Sequence, residues 1–357
     1  MDLGAVVENW RLLGRRLGPA GCAAVVKADA YGLGAARVAP ALHAAGCRRF
    51  FVAHPDEALA ILPLLPGATV GVLNGLLPGT EAEMVASGMV PVLNHLGEIE
   101  RWSAAARRLG RPLPAYVQLD TGMNRLGLGP DETDTLAAEP HRLDGIDLLA
   151  WISHLACADD PAHGLNETQR ARFRDALDRL PPAPAALANS SGIFLGPHFH
   201  FDFARPGCAL FGVNPTPHAD NPMHPAIRLA ARILQVRNVD STMSVGYGAA
   251  HSVARRGKVA TMAIGYADGY SRRLSAVGAV LLGGVRAPVI GRVSMDLVTV
   301  DVTDVPDRAL DPGSFAEVIG PHRPVDEVAR EAGTIGYEVL TSLGRRYHRV
   351  YIEPRDI

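Results

Sequence analysis

The sequence predicts a (β/α)8 barrel of the TIM type, followed by a C-terminal all-β domain. In the first part of the chain, short continuous apolar runs alternate with helical stretches, a pattern typical of a parallel sheet covered on both faces. Eight such repeats fit a closed barrel better than an open sheet. After a linker rich in turn residues, strands dominate, and Gly, Pro and Asp separate them.

The predicted elements follow directly from these runs. Barrel strands are predicted at residues 23–27, 50–53, 69–73, 90–93, 115–119, 146–153, 185–188 and 201–204. Ala- and Leu-rich segments between them predict helices at 37–45, 55–62, 99–109 and 167–180. The linker at 215–222 places the domain boundary, so that residues 1–222 form the barrel and 223–357 the β domain. In the β domain, strands are predicted at 230–239, 259–264, 279–282, 287–293, 297–302 and 314–319, with one helix at 325–332.

Composition narrows the class of protein. A chain of 357 residues, 48% hydrophobic and 20% charged, suits a soluble protein with a barrel-sized domain and a second unit. A net charge of -2 gives no reason to expect nucleic acid or a membrane surface as a partner. No apolar run reaches the roughly 20 residues of a membrane span, and no signal-peptide pattern is present. Four dispersed cysteines without a CxxC pair argue against a zinc site and favour the cytoplasm.

The chain contains only two lysines among its 35 basic residues. An arginine stays protonated near neutral pH, so only a lysine can supply the free amine that forms a Schiff base or removes a proton. Lys258 lies in a basic turn and is interpreted as a solvated charge. Lys27 ends an apolar strand, where it could equally be a simple strand cap or a reactive amine.

Other polar residues follow the ends of the sister strands. In a (β/α)8 barrel the residues after each strand line the active-site mouth. That set comprises Tyr31, Asp120–Arg125, His154, Asn189–Gly192 and Arg205–Gly207. A Ser/Gly turn at a helix N-terminus can bind phosphate, and a phosphorylated aldehyde can form a Schiff base with lysine. Together they indicate pyridoxal phosphate, and no metal is expected.

Each of these residues also has an ordinary structural interpretation. Taken alone, His154 is more typical of a hydrogen-bonded structural histidine, and the turn at 189–192 of a helix cap. Arg125 and Arg205 could each form a surface ion pair. Their common position at the strand ends of one barrel favours a catalytic site.

Six motifs, in order along nearly the whole chain, resemble those of the alanine racemases, a pyridoxal-phosphate family with a barrel and a C-terminal β domain. They are VKADAYG (26–32), DTGMNRLG (120–127), RPGCALFG (205–212), VGYGA (245–249), IGYADG (264–269) and GRVSMD (291–296). The resemblance implies that Lys27 holds the cofactor and is one of two catalytic bases. The second base would be Tyr247 of the partner subunit in a homodimer. The activity it implies is interconversion of L- and D-alanine, which supplies D-alanine for peptidoglycan.

The same resemblance implies roles for the remaining candidates. His154 would hydrogen-bond toward Arg205, which would face the pyridine nitrogen. The phosphate would be held by Tyr31, Ser190, Gly207, Cys208 and Tyr337. Arg125 would contact the phenolic oxygen of the cofactor, and Arg125 and the backbone N–H of the partner subunit's Met295 would bind the substrate carboxylate. The entrance would be formed by Asp159, Tyr266, Arg272 and Arg292. For the tyrosines of the β domain, aromatic packing at strand ends is the alternative.

Two departures from the family pattern bear on function. Where relatives often carry a carbamylated lysine, this chain has Gln118, so we expect Arg125 to be positioned by water, chloride or another carboxylate. A strand that generally precedes Asp2 is missing, so either the β domain lacks it or the start is late. The alternatives are a broader alanine/serine racemase, a non-catalytic pyridoxal-phosphate carrier, and a decarboxylase of similar architecture. The decarboxylase is disfavoured because it normally places an acidic residue at the ring nitrogen, where this chain has Arg205.

Overall fold

The N-terminal half of the protein is a closed barrel of eight parallel strands, seen in a computed structural model that describes residues 1–354. Its segments are β1 (Gly21–Cys22), β2 (Ala24–Val25), β3 (Arg49–Val52), β4 (Thr69–Val72), β5 (Val90–Leu93), β6 (Leu113–Gln118), β7 (Ile146–Ile152), β8 (Ala185–Ala186) and β9 (Phe203–Ala204). β1 and β2 form one interrupted strand. β2 to β8 pair in sequence order, and β1 pairs with β9. The Arg205 N–H donates to the Ala188 carbonyl at 2.9 Å and joins the last two strands, so the barrel closes.

Helices surround the barrel. They are α1 (Leu3–Leu17), α2 (Lys27–Gly32), α3 (Ala35–Ala44), α4 (Pro55–Ile61), α5 (Glu81–Ser87), α6 (Leu96–Leu109), α7 (Pro130–Ala138) and α8 (Leu165–Leu177). The ends of α1 show why it forms where it does. The Asp2 carboxylate accepts the Ala5 N–H at 3.0 Å, and Gly18 ends the helix at φ 64°, a conformation that favours glycine.

Aromatic side chains fill the lower barrel interior. The rings of Phe51 and Tyr116 lie 5.0 Å apart, and Phe203 lies 6.5 Å from each of them. All three are at most 1% exposed. The Phe51–Phe203 pair is stacked and the other two pairs are tilted, both arrangements that aromatic rings favour. The interior is therefore a packed core, and the polar strand ends lie at the mouth above it.

The C-terminal half is built on an antiparallel sheet. Its strands are β10 (Leu229–Val239), β13 (Gly257–Ala263), β14 (Ala279–Leu282), β15 (Val285–Pro288), β16 (Leu297–Asp301) and β17 (Phe315–Ile319), in the order β15-β14-β17-β10-β13-β16. A small hairpin, β11 (Ser244–Val245) with β12 (His251–Ser252), and two helices, α9 (Val325–Glu331) and α10 (Gly336–Thr341), complete it. The predicted fold class, a barrel followed by an all-β domain, is confirmed.

The strand predicted at residues 287–293 is shorter in the structure. The run at 287–293 was expected to be extended throughout, but β15 ends at Pro288 and the chain turns at Gly291, where φ is 69°. Beyond Pro288 the chain changes its pairing partner: the Val289 N–H donates to the Gly278 carbonyl at 2.8 Å, and the Ile290 N–H donates to the Thr299 carbonyl at 2.9 Å. The left-handed backbone of Gly291 then turns the chain away. Apolar composition alone does not reveal this interruption.

The two halves contact each other through the chain ends. The buried amide of Asn9 donates to the carbonyls of Leu210 and His224 at 3.1 and 2.9 Å, which fixes α1 against the linker. Asp2 pairs with Ile352 in an isolated bridge, so the chain start lies beside the C-terminal segment. The Tyr351 hydroxyl donates to the Leu33 carbonyl at 3.0 Å, which brings that segment beside the loop after Lys27. In residues 1–354, no helix is both long and apolar enough to cross a bilayer.

Candidate active site

Lys27 begins a turn of unusual geometry at the end of the first barrel strand. Residues 28–31 all have φ between 54° and 56° with ψ between 40° and 53°, which is one turn of left-handed helix without a glycine. Each non-glycine residue in this conformation costs about 1–2 kcal/mol, so other contacts must stabilise the turn. The Asp29 carboxylate accepts the Ala35 N–H at 2.8 Å, and the Val26 carbonyl accepts the Ala30 N–H at 2.9 Å. Glu57 supplies a further contact, described below.

The surroundings of Lys27 favour its neutral amine. Burial lowers the pKa of Lys27, and the nearby charges of Arg125 and Arg205 lower that pKa further, while the Glu57 carboxylate opposes them. A neutral amine is the form that attacks an aldehyde carbon or accepts a proton. The site therefore adjusts the one lysine of the barrel mouth toward nucleophilic and basic chemistry.

Arg205 is a buried cation with one free donor. Its guanidinium is 4% exposed and donates to the Ser153 carbonyl, but its Nε–H finds no acceptor among the described residues. Burial lowers the pKa of Arg205 to about 10, with Tyr116 acting in the opposite direction, so the side chain stays protonated at neutral pH. Buried donors in native proteins usually have partners, and this one is suited to an acceptor atom of a bound molecule.

His154 is held neutral beside these cations. Burial, followed by the charges of Arg205, Arg125 and Lys27, lowers the pKa of His154 to about 3. Its loop is fixed because the Gln169 side chain donates to the His154 carbonyl at 2.9 Å. The hydrogen bond from His154 to Arg205 that the family resemblance implies stays a prediction.

A cluster of hydroxyl and backbone groups adjoins the turn after Lys27. The Ser190 hydroxyl, 3% exposed, accepts the N–H groups of Gly207 and Ala209 at 3.0 and 3.3 Å. The rings of Tyr31 and Tyr337 lie 6.1 Å apart, and burial raises the pKa of both phenols. Burial likewise raises the pKa of Cys208, so this thiol stays protonated. The cluster therefore presents neutral donors, which suit a phosphate group.

Arg125 lies on a loop shaped by two side chains. One oxygen of the Asp120 carboxylate accepts three successive backbone N–H groups, those of residues 122–124, at 2.9 to 3.1 Å. Gln118 donates its side-chain N–H to the Leu126 carbonyl at 2.9 Å, directly beside Arg125. Within the described chain no carboxylate forms an ion pair with Arg125, and the neutral amide of Gln118 supports the loop that carries it. The sequence suggested that Gln118 matters but not this contact.

The candidates of the β domain form a second, exposed group. The Tyr266 N–H donates to the Ser294 carbonyl at 3.0 Å. The loop of Tyr247 lies against the backbone of Arg292, since a Cβ added to Gly246 would lie 3.2 Å from the Arg292 backbone nitrogen. Tyr247, Tyr266 and Met295 are 72%, 44% and 53% exposed. The Ser275 hydroxyl donates to the Arg272 carbonyl at 2.6 Å and accepts the Val293 N–H at 3.0 Å, so Arg272 belongs to this group.

Among residues 1–354, no hydrogen bond, ion pair or ring contact joins Tyr247 to the barrel mouth. Asp159 lies on an exposed barrel loop, where its charge contributes to raising the pKa of Tyr337, after burial and Cys208 as the main causes. It therefore belongs with the barrel group rather than with the other entrance residues.

The residues at the mouth fit pyridoxal phosphate. Lys27 offers a reactive amine, Arg205 has an unpaired buried Nε–H for an aromatic ring nitrogen, and Ser190 belongs to a cluster of neutral donors for a phosphate. Gly207 leaves room at that cluster, because a Cβ there would lie 2.2 Å from the Tyr31 hydroxyl. The donor set therefore matches the aldehyde, ring nitrogen and phosphate of this cofactor.

Comparison with known proteins agrees with this geometry. Residues 1–215 match the family model "Alanine racemase, N-terminal domain", and residues 226–351 match "Alanine racemase, C-terminal domain". The chain is 50% identical to the alanine racemase of Brucella abortus over 366 residues, covering 99% of this chain and 92% of the relative. It is 51% identical to that of Rhodospirillum rubrum over 353 residues, covering 98% and 94%.

Solved structures agree as well. The crystal structure of alanine racemase from Bartonella henselae with covalently bound pyridoxal phosphate superimposes with a TM-score of 0.95 at 42% identity, covering 99% of this chain and 98% of that one. The biosynthetic alanine racemase from Pseudomonas aeruginosa gives a TM-score of 0.92 at 37% identity, covering 98% of each chain. The chain therefore belongs to the alanine racemase family and is an isomerase of that family.

Proposed function

We propose that this protein interconverts L- and D-alanine with pyridoxal phosphate held on Lys27. The observation that carries the proposal is the convergence, at one barrel mouth, of a buried lysine whose pKa is lowered, a buried arginine with a free donor and a cluster of neutral hydroxyl and backbone groups. When bound, the cofactor withdraws electrons from the substrate α-carbon and makes its proton more acidic.

The residues of the chain divide the remaining tasks. Lys27 holds the cofactor, and its Nζ accepts or returns the α-proton on one face of the substrate. Tyr247 of the partner subunit would serve the opposite face through its hydroxyl, because racemisation needs a proton on either side. Arg205, protonated at neutral pH, donates to the ring nitrogen without protonating it, which limits electron withdrawal and disfavours side reactions.

Binding of the substrate and the phosphate completes the site. We assign the phosphate to Tyr31, Ser190, Tyr337 and the backbone at Gly207 and Cys208. His154 would lie beside the cofactor ring as a neutral imidazole. Arg125 and the partner subunit's Met295 hold the substrate carboxylate. Asp159, together with Tyr266, Arg272 and Arg292 from the partner's β domain, narrows the entrance.

A homodimer follows from this assignment. Tyr247 is exposed, and within the described chain no hydrogen bond, ion pair or ring contact joins it to the barrel mouth, although both are needed for two-sided proton transfer. We propose that two subunits associate so that the β domain of each completes the barrel mouth of the other. Residues 1–222 and 223–357 would be the two domains that meet in this way.

In the cell we propose that the product D-alanine is used for peptidoglycan. The dispersed cysteines support a cytoplasmic location, where thiols stay reduced. Both statements are tested separately from the chemistry, by asking whether a strain lacking the gene requires added D-alanine and in which cell fraction the protein is found.

A racemisation assay tests the chemistry. Purified protein with added pyridoxal phosphate is incubated with L-alanine, L-serine and larger L-amino acids, and the D-product is quantified over time. We expect turnover of alanine, and the ratio of alanine to serine turnover measures how narrow the entrance is. Cofactor binding without formation of any D-amino acid would contradict the proposed function and favour a carrier.

A further inference from the structure

The left-handed turn after Lys27 is held by a residue of the neighbouring strand end. Glu57, in the first turn of α4, accepts the Ala28 N–H with one carboxylate oxygen. Its other oxygen accepts the N–H groups of Ala53 and His54 at 2.7 and 3.2 Å. A single carboxylate therefore joins the residue directly after Lys27 to the end of β3.

The same arrangement occurs twice more around the barrel. Glu98, in the first turn of α6, accepts the N–H groups of Leu76 and Asn94 at 3.2 and 2.6 Å. Glu132, in α7, accepts those of Leu96 and Gly129 at 3.0 and 3.4 Å. All three glutamates hydrogen-bond the ends of two adjacent barrel strands, so all three share the task of holding those strand ends together.

Glu57 differs from the other two in what it faces. It is the one carboxylate whose charge acts on Lys27 against burial, Arg125 and Arg205 in the described chain. It also binds the first N–H of the left-handed turn, whose residues 28–31 cannot stabilise that conformation by themselves. Its position thus couples the backbone of the turn to the electrostatics of the amine.

We propose that Glu57 is the positioning residue of Lys27: its carboxylate clamps the Ala28 N–H and sets both the direction and the charge environment of the lysine amine. This inference rests on the proposed function, in which Lys27 is the reactive amine. Glu57 itself is not assigned contact with the substrate or the cofactor.

The first test measures the clamp by hydrogen exchange of the full-length, cofactor-loaded protein. In Glu57→Gln a neutral amide oxygen replaces the carboxylate, and charge-assisted hydrogen bonds are roughly twice as strong as neutral ones. We expect exchange in a peptide covering residues 27–33 to become roughly tenfold faster. Glu98→Gln serves as the matched control and should change the peptides around Leu76 and Asn94 instead.

The second test reads the amine itself, which a purely structural role would not affect. Because the chain has only Lys27 and Lys258, reductive methylation with 13C-formaldehyde of the full-length protein freed of cofactor labels two lysines that NMR can follow through a pH titration. Removal of the Glu57 charge should move the titration midpoint of Lys27 to lower pH. Lys258, which forms an ion pair with Asp307, should titrate as before.

The outcomes separate cleanly. A Lys27 midpoint that is unchanged in Glu57→Gln, or that moves equally in Glu98→Gln and Glu132→Gln, would overturn the proposal. If Glu57→Gln does not fold, Glu57→Asp decides: its charge is kept but its reach is shorter, so residues 27–33 should exchange faster while the Lys27 midpoint stays. Unchanged exchange in Glu57→Asp would contradict the clamp. Neither measurement requires racemase activity, so failure of the proposed function would show separately, as absent alanine turnover.

Discussion

Gly207 offers the sharpest test of the proposed phosphate-binding cluster around Ser190 and Tyr31, because a methyl group at this position would overlap the Tyr31 hydroxyl. A Cβ at this position would lie 2.2 Å from the Tyr31 hydroxyl oxygen and 3.0 Å from its ring carbon Cζ. Ordinary contact begins near 3.4 Å, so in Gly207→Ala the two groups must separate by about 1.2 Å. Tyr31 is 7% exposed and its ring lies 5.1 Å from that of Phe211, so it cannot move without displacing its neighbours.

The expected cost follows from this overlap. Overpacking a buried site typically costs about 1–3 kcal/mol, and we expect Gly207→Ala to lower the free energy of unfolding by about 2 kcal/mol. Displacement of Tyr31 should also weaken pyridoxal phosphate binding at least about tenfold, which corresponds to about 1.4 kcal/mol. Urea unfolding measures the first quantity, and titration of the cofactor-free protein by absorbance measures the second.

Two further variants make the test specific. Gly164→Ala is the matched control, because nothing lies within 4 Å of a Cβ there and its backbone is helical at φ -61°. The double variant Gly207→Ala/Tyr31→Phe removes the oxygen at 2.2 Å and should regain part of the lost stability. If Gly207→Ala matched Gly164→Ala in both unfolding free energy and cofactor affinity, the close approach of Gly207 and Tyr31 would be refuted.

Three other predictions concern the loop of Arg125, His154 and the second base. Gln118→Leu removes the hydrogen bond to the Leu126 carbonyl, which contributes about 1 kcal/mol. The KM for alanine should therefore rise about fivefold, with a smaller change in kcat. An unchanged KM would contradict the role of Gln118. Because the folded pKa of His154, about 3, lies below its unfolded value near 6.5, the unfolded chain takes up a proton first as the pH falls. Wild-type protein should therefore lose about 2 kcal/mol more stability than His154→Gln between about pH 6.5 and about pH 5, as measured by urea unfolding, and equal losses would show that the histidine is not held neutral. Tyr247→Phe should slow the L-to-D and D-to-L directions unequally in initial-rate assays, whereas equal and negligible effects would remove Tyr247 as a base.

The barrel and its mouth were predictable because their signal is local. Apolar runs of four to eight residues mark buried parallel strands, and the residue that follows each run lies at the mouth in any such barrel. Lys27, His154 and Arg205 were found in this way, and the structure places all three within reach of one another's charge.

What was missed depends on contacts between distant residues. Nothing in the alternating small and polar residues after Lys27 announces a left-handed turn, since no glycine occurs at 28–31 and the conformation is imposed by neighbours. Glu57 could have been recognised as a helix-capping glutamate behind Pro55, but its bond to Ala28 joins two different strand ends. The hydrogen bond from the Gln118 side chain to the Leu126 carbonyl likewise forms only when the loop that carries Arg125 folds back onto β6.

The central claim is that Lys27 of one subunit and Tyr247 of the partner subunit form one active site. Mixing Lys27→Ala with Tyr247→Phe, each strongly impaired on its own, under conditions that exchange subunits tests it most directly. Each mixed dimer would carry one site with both native residues, so alanine racemisation should return to about a quarter of the wild-type rate at equal mixing. Racemisation that stays at the level of the separate variants, although subunit exchange is verified by mass spectrometry, would contradict the shared site.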